Sequence, residues 1–345
     1  MRELHDVVDL CLADGSLNPD AIGWTRHPIH RTGLRGWGRT KRWEYWGIVT
    51  PTHVIGLTIS NLDYAAVHQC YVLDRATGVD REFDALVPMG RDVVLPDAAP
   101  PITASARARG FALEFSDLPL LVAGHRPDTA RLRMGVRSTR LVADITAKAG
   151  SLRLDAVADA AGESLSVVVP WSRRRFQYTV KDLARPITGT LVIDGIEHEV
   201  SNGSWAVLDR GRGRWPYRMT WNWAAGSGIV DGHRIGLQLG GRWTAGTGMT
   251  ENALIVDGVV DPMSTEVAWN YDLAHPDRPW RIQGDRVDAT LTPFHVRRAA
   301  TNALVIASRT VQAFGEWSGW AADSDGRRYR VDGIVGWAEE AKNRW

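Results

Sequence analysis

From Lys41 onward, the chain alternates short apolar runs with polar turn residues. Within the runs, bulky residues alternate with others, and this spacing of two predicts β-strands with one buried face. Turn residues such as Gly, Asp and Pro separate the runs. The predicted strands cover residues 43–49, 53–60, 65–73, 111–115, 132–136, 140–146, 151–157 and 165–169.

Asp-Gly pairs between apolar runs predict tight hairpins in the second half of the chain. They occur at 194–195, 231–232 and 257–258, and this dipeptide accepts the positive φ angles that a two-residue hairpin needs. The pattern therefore predicts an antiparallel all-β protein. A length of 345 residues exceeds what one compact core usually serves, which favours two domains or one large β-architecture. We expect two strand-rich domains, 1–200 and 201–345.

Helical spacing appears only near the two ends of the chain. Leu4, Val8 and Leu12 predict a short N-terminal helix, and residues 337–345 predict a second one. Between the first helix and the first strand, residues 18–38 are rich in Gly, Pro and Arg. This segment is expected to form a long irregular arm on the N-terminal domain.

Composition adds an excess of tryptophan to this picture. The chain has 16 Trp residues, and a large apolar face with one N–H donor suits the lining of a ligand pocket. With 41 basic and 40 acidic residues the net charge is +1, which argues against nucleic acid as a general partner. No apolar run reaches ~18 residues and no signal peptide is evident, so we expect a cytoplasmic protein without membrane insertion.

The usual catalytic motifs are missing from the sequence. Two cysteines, Cys11 and Cys70, are too few for a disulfide framework or a four-ligand zinc site. There is no phosphate-binding loop, no nucleophile elbow and no zinc-protease motif. His27 and His30 stand alone in a loop. We therefore expect neither a metal nor a cofactor.

Residues 201–252 combine tryptophans, charges and glycines, as a lined pocket does. Asp209 and Glu251 are the candidate catalytic residues, because burial among aromatic rings shifts a carboxyl pKa and suits it to acid–base work. In the more conservative interpretation, Asp209 instead forms an ion pair that holds strand ends together. Its available partners are Arg210, Arg212 and Arg218.

Other residues of this stretch are candidates for binding a ligand. On a strand, Trp221 and Trp223 face one way and Asn222 the other, so the indoles either line a cavity or fill a barrel as core. Tyr64, beside Asn61 and Asp63, either lies at the pocket mouth or belongs to an Asx turn. The full set of candidate ligand-binding residues is Arg210, Arg212, Trp215, Arg218, Trp221, Asn222, Trp223, Trp243, Asn252 and Tyr64.

Several blocks resemble the uncharacterised family called domain of unknown function 2804, and together they span the chain. They include Lys-Arg-Trp-x-Tyr-Trp at 41–46 and Leu-Asp-Arg-Gly-Arg-Gly-x-Trp-Pro-Tyr-Arg at 208–218. The others are 18–28, 62–64, 221–223, 246–252 and 333–340. More distantly, the segment Gly203 to Asp209 with the later Trp-Asn-Trp and Asp-Gly is similar to the double-lipocalin superfamily, which includes hydratases and cyclases.

The second resemblance implies two tandem lipocalin-like antiparallel β-barrels. It also suggests a hydrophobic, lipid- or isoprenoid-like ligand and cofactor-free isomerase, cyclase or hydratase chemistry. Asp209 or Glu251 would move a proton, and Arg212 and Arg218 would hold a carboxylate or an oxyanion. Two alternatives stay open at this point: a non-catalytic lipid carrier, and a carbohydrate-active protein in which indoles stack on sugars. The glycine- and arginine-rich segment 210–213 departs from the hydratases.

Overall fold

The computed structural model describes residues 1–98, 100–118, 138–160, 162–303 and 306–345. Strands make up nearly all of its regular structure, so the predicted all-β class is confirmed. Across these ranges the one helical element is a 3-10 turn, Pro19–Ala21. No described helix has the length and apolar character needed to cross a membrane.

The first large sheet has fourteen strands, and its hydrogen-bonded order runs β7-β6-β5-β4-β16-β14-β12-β11-β10-β9-β8. Strands β13 and β15 also pair with β14, and β2 pairs with β13, while β1 and β3 form a separate parallel pair. The strands are β1 (Val8–Asp9), β2 (Trp24–Thr25), β3 (His30–Arg31), β4 (Thr40–Val49), β5 (His53–Asn61), β6 (Ala65–Asp74), β7 (Asp80–Pro88), β8 (Val93–Val94), β9 (Thr103–Ala108), β10 (Phe111–Asp117), β11 (Thr139–Ala147), β12 (Gly150–Ala158), β13 (Leu165–Ser172), β14 (Arg175–Ile193), β15 (Ile196–Val200) and β16 (Trp205–Arg214).

The second sheet has ten strands in the order β20-β19-β18-β17-β26-β24-β23-β22-β21, with β25 beside β24. Its strands pair in antiparallel fashion throughout. They are β17 (Arg218–Val230), β18 (His233–Gly241), β19 (Asn252–Val256), β20 (Val259–Met263), β21 (Ala268–Asn270), β22 (Trp280–Gly284), β23 (Val287–Ala303), β24 (Ile306–Ala322), β25 (Arg328–Arg330) and β26 (Val335–Arg344).

Each sheet curls around an apolar core of its own. The first core includes Trp46, Leu57 and Phe115, and the second includes Trp280 and Trp317. A third core lies where the sheets meet and takes side chains from both, among them Tyr71, Val207, Phe314 and Trp337. The two curled sheets confirm the predicted tandem lipocalin-like barrels.

The predicted terminal helices are wrong. Residues 4–12 form a loop and strand β1. Leu10 is buried against Leu17 and Val168, so the apolar residues of this segment serve to pack one side of the loop against the sheet. Residues 337–345 belong largely to strand β26, which lies between β17 and β24. Residues 336–339 of β26 are buried on both faces of the strand, and this hides the alternation that identifies a strand.

Three further predictions concern a strand, the domain boundary and a turn. The strand expected at 132–136 lies outside the described residues. The domain boundary at 200/201 stays a prediction. The chain passes from the first sheet to the second between Arg214, the end of β16, and Arg218, the start of β17. The Asx-turn alternative is found at Asn61, whose side chain accepts a 2.8 Å hydrogen bond from the Asp63 amide.

Candidate functional site

A cavity of about 310 Å³ lies between the two barrels. Strands β4, β5, β6, β14 and β16 line it from the first sheet, and β17, β23, β24 and β26 from the second. Alternation along β4 explains its position: Trp46 and Ile48 enter the first barrel core, while Trp43 and Tyr45 face the cavity. The cavity is therefore built from the outer faces of the barrels, whose interiors are filled by apolar cores.

Tryptophan rings form one side of this cavity. Trp215 is the centre of the cluster, with a ring centroid 5.6 Å from that of Trp43, 5.8 Å from Trp221 and 5.7 Å from Trp345. Trp243 stacks on it at 5.8 Å. Several of the indole N–H groups donate hydrogen bonds within the protein, as in Trp215 to Gln177 and Trp223 to Gln238. The rings consequently offer apolar faces to a ligand.

Opposite charges meet at Lys181, which is 4% exposed. Its ammonium lies 3.1 Å from Asp209 Oδ2 and 3.2 Å from Glu251 Oε2, and 4.3 Å from the centre of the Trp223 ring. Burial acts to lower the pKa of Lys181, but Asp209 and Glu251 outweigh it, so the pKa is raised. Thr179 donates a 3.3 Å hydrogen bond that orients Asp209.

Glu251 is held at the cavity wall on two sides. Trp243 Nε1 donates to its Oε1 at 2.5 Å, and Lys181 faces its other oxygen. A Cβ on Gly240 would lie 2.2 Å from Oε1, so only glycine leaves room for the carboxylate. Burial raises the pKa of Glu251 against the opposing influence of Lys181.

A third carboxyl group, Glu339, reaches the cavity from β26. Its Oε1 accepts a 3.0 Å hydrogen bond from Trp221 Nε1, and its Oε2 accepts one of 3.0 Å from Gln312. Burial raises the pKa of Glu339 to about 7, although the bond from Trp221 acts in the opposite direction. This group therefore exchanges a proton near neutral pH.

The structure brings together only some of the residues singled out from the sequence. Six of them line the cavity, from both sheets: Asp209, Trp215, Trp221, Trp223, Trp243 and Glu251. Asn222 faces the second barrel and donates to Tyr271 and to the Glu339 carbonyl. Asn252 accepts from the Gly240 amide at 2.7 Å and so positions the strand beside Glu251.

The predicted arginine partners of Asp209 lie elsewhere. Arg210 and Arg212 point to the opposite face of β16 and share Glu44, at 3.1 Å and 3.0 Å. Arg218 is exposed and does not line the cavity. The ion pair expected between Asp209 and these arginines is wrong, because neighbouring residues on a strand face opposite sides. The partner of Asp209 is Lys181.

Sequence reasoning missed several cavity residues. They include Lys41, Trp43, Lys181, Arg297, Gln312 and Glu339. One signal was available: Gln177, Thr179 and Lys181 alternate with apolar residues along β14, which indicates a polar row on one strand face. Nothing comparable marks Glu339, whose segment has the appearance of a helix.

Tyr64 lies beside the cavity, where its hydroxyl accepts a 3.3 Å hydrogen bond from Lys41. Within the described ranges, no group of three or more His, Cys, Asp or Glu side chains is arranged to hold a metal ion. Cys11 and Cys70 are both free thiols.

A family model described as domain of unknown function (DUF2804) matches residues 1–345. The chain belongs to the DUF2804 family. No curated protein matches it in sequence. Among solved structures, it is similar to kievitone hydratase from Nectria haematococca, with 10% identity, 89% of each chain covered and a TM-score of 0.50.

Two other solved structures match most of the chain with lower TM-scores. An AttH-like protein from Nitrosomonas europaea is 13% identical over 88% of this chain and 92% of its own, with a TM-score of 0.48. CghA with Sch210972 is 12% identical over 88% of both chains, with a TM-score of 0.45. The likeness to kievitone hydratase shows the fold and carries no statement about chemistry.

Proposed function

We propose that the protein binds an apolar small molecule in the cavity between the barrels and transforms it by acid–base chemistry without a cofactor. An isomerisation, cyclisation or hydration fits this description. The observation that carries the proposal is the set of three carboxyl groups, Asp209, Glu251 and Glu339, beside the buried Lys181 on the wall of a tryptophan-lined cavity.

Glu339 is the residue best suited to move a proton. A general acid or base works best when its pKa is close to the working pH, and the pKa of Glu339 is about 7. Its hydrogen bonds from Trp221 and Gln312 fix the position of the carboxyl group. In this proposal Glu339 gives a proton to the substrate or takes one from it.

Asp209 and Glu251 supply fixed charge on the same wall. Thr179 and Trp243 hold them in place, and the Lys181 ammonium lies between them. Carboxylates ordered before the reaction begins stabilise positive charge as it develops on a substrate, and indole faces do the same. Either carboxylate also serves as the second proton carrier, in the role proposed for it from the sequence.

The carbohydrate alternative has less support. A glycosidase needs space for the sugar linkage between its two carboxyl groups, whereas Lys181 occupies the space between Asp209 and Glu251. A non-catalytic carrier would use the same cavity and leave its ligand unchanged. The outcome of the following experiment distinguishes the carrier from the enzyme.

The test is native mass spectrometry of the purified protein, followed by extraction and identification of the retained molecule. Turnover of that molecule is then measured with Glu339→Gln, Asp209→Asn and Glu251→Gln, and with Glu316→Gln as an exposed control on β24. We expect Glu339→Gln to retain binding and lose roughly 10²–10⁴-fold in rate. Unaltered turnover in all three cavity variants would refute the acid–base roles, and a ligand left unchanged by the wild type would support a carrier.

A further inference from the structure

Lys41 is a second buried lysine on the cavity wall, and its surroundings differ from those of Lys181. It is 2% exposed. Lys181 has two carboxylate partners, whereas the Lys41 ammonium makes one hydrogen bond, of 3.3 Å, to the Tyr64 hydroxyl. No carboxylate in the described part of the chain forms an ion pair with Lys41.

The nearby carboxylate of Asp63 is committed to other groups. Its oxygens accept hydrogen bonds from the Thr40 amide at 3.0 Å, from the Thr40 hydroxyl and from Arg42 at 3.4 Å. Burial lowers the pKa of Lys41 to about 8, although Asp63 opposes this effect. Lys41 is thus a buried cation without a neutralising partner among the described residues, an arrangement that is costly in a folded protein.

Two aromatic rings lie near the Lys41 ammonium, and their faces accept no conventional hydrogen bond from it. The nitrogen lies 4.8 Å from the centre of the Tyr64 ring and 5.4 Å from that of Trp345. Such contacts stabilise a cation partly, but an ammonium carries three donors and the Tyr64 hydroxyl accepts only one. Hydrogen-bond donors therefore remain available to an acceptor in the cavity.

An apolar path leads from Lys41 to the proton-carrying group. Trp345 lies against Lys41, and its ring stacks on Trp221 with centroids 6.3 Å apart. Trp221 in turn donates to Glu339. A ligand with a charged end at Lys41 would lie along these two indoles and present its other end to Glu339.

We propose that Lys41 binds the carboxylate of the ligand, so that the substrate is an apolar molecule with a single carboxylate at one end. This inference rests on the function proposed above. A single negative charge fits because the other cations of the lining are already paired: Arg297 with Glu82 at 2.6 Å, and Lys181 with its two carboxylates. A diphosphate would require more positive charge than this end of the cavity supplies.

The test compares dodecanoate with dodecanol, which share an apolar chain and differ in charge. Binding is followed by tryptophan fluorescence, since the cavity contains six indoles. We expect the wild type to bind the acid roughly ten- to a hundred-fold more tightly than the alcohol, because a hydrogen bond between charged groups contributes more binding free energy than a neutral one. Lys41→Met and Lys41→Gln should abolish this preference, and Lys41→Arg should retain part of it.

Lys342→Met is the matched control, because Lys342 is an exposed lysine on β26 next to the cavity residue Asn343, and it should leave the preference unchanged. The role of Lys41 would be refuted if the wild type bound acid and alcohol equally, or if both neutral Lys41 variants kept the preference for the acid. Neither result would contradict binding of an apolar molecule in the cavity. If neither probe binds the wild type, the proposed function itself fails.

Discussion

Lys181 neutralises two carboxylates at once, the buried Glu251 and the partly buried Asp209, and its removal has a predictable cost. In Lys181→Met, Asp209 and Glu251 lose their shared partner, and the Glu251 carboxylate stays buried without one. We expect a loss of about 3–5 kcal/mol in the free energy of unfolding, as found when buried ion pairs are broken. Urea denaturation measures it, with the exposed Lys342→Met as a control expected within about 0.5 kcal/mol. A loss below about 1 kcal/mol would contradict the described role.

Glu339 makes stability depend on pH in the opposite direction to most carboxyl groups. Its pKa is raised from 4.5 to about 7 by burial, so between these values the folded protein holds a proton that the unfolded chain has released. Stability contributed by this group is therefore present below pH 4.5 and lost as the pH rises toward 7. The free energy of unfolding of Glu339→Gln, compared with that of the wild type, should therefore increase as the pH rises from 5 to 8. Urea denaturation of both proteins at each pH measures this difference.

At the scale of single residues, the sequence predicted part of the site. Residues 201–252 were singled out because their mixture of tryptophans, charges and glycines is typical of pockets, and Asp209, Glu251 and four tryptophans of this segment line one cavity. Lys181 was not predictable as their partner, because it reaches them through the pairing of β14 with β16, which is distant in sequence. Arg210 and Arg212 are not partners of Asp209, and the alternation of side chains along a strand already indicates this, because it places both arginines on the other face of β16.

At the scale of elements, turn chemistry was the most reliable signal. The predicted Asp-Gly turns have positive φ at both residues, as at Asp194 (51°) with Gly195 (82°) and Asp257 (50°) with Gly258 (87°). They join β14 to β15 and β19 to β20 as hairpins. Strand β26 was missed because it is central and its residues 336–339 are buried on both faces, so its apolar residues lack a period of two.

Strand β16 contains a glycine whose replacement tests the packing of the cavity wall. A Cβ on Gly211 would lie 2.1 Å from the Trp43 ring, so Gly211→Ala must displace that indole. We expect a loss of about 1–3 kcal/mol in unfolding free energy. The control is Gly56→Ala in β5 of the same sheet, where the nearest atom would be 3.3 Å away. Equal losses in the two variants would refute the steric explanation.

At the scale of the whole molecule, the shared third core makes the two barrels depend on each other. Trp337 of the second sheet packs against Tyr45 of the first, with ring centroids 6.2 Å apart. Gly47 leaves space for it, because a Cβ there would lie 2.4 Å from the indole. The resemblance to double lipocalins predicted two barrels, but the placement of the cavity between them depends on this packing and was not evident from the chain.

Trp337→Ala should therefore weaken both barrels together. We expect a loss of about 3–5 kcal/mol and a single urea transition, with amides of both sheets losing protection against hydrogen exchange at the same denaturant concentration. The exposed Trp37→Ala is the control and should change stability by about 0.5 kcal/mol or less. Two separate transitions in the wild type would show that the barrels fold independently.

The tryptophan cluster has an optical consequence. Trp215 lies within a few ångströms of several other indoles, and the Trp171 ring centroid is only 4.9 Å away. Chromophores this close share their excited states, so the strong far-ultraviolet indole band should give paired circular-dichroism bands of opposite sign. A molecule entering the cavity would shift the angles between the rings and alter those bands. The protein thus carries an intrinsic, label-free reporter with which unknown ligands are screened before any reaction has been identified.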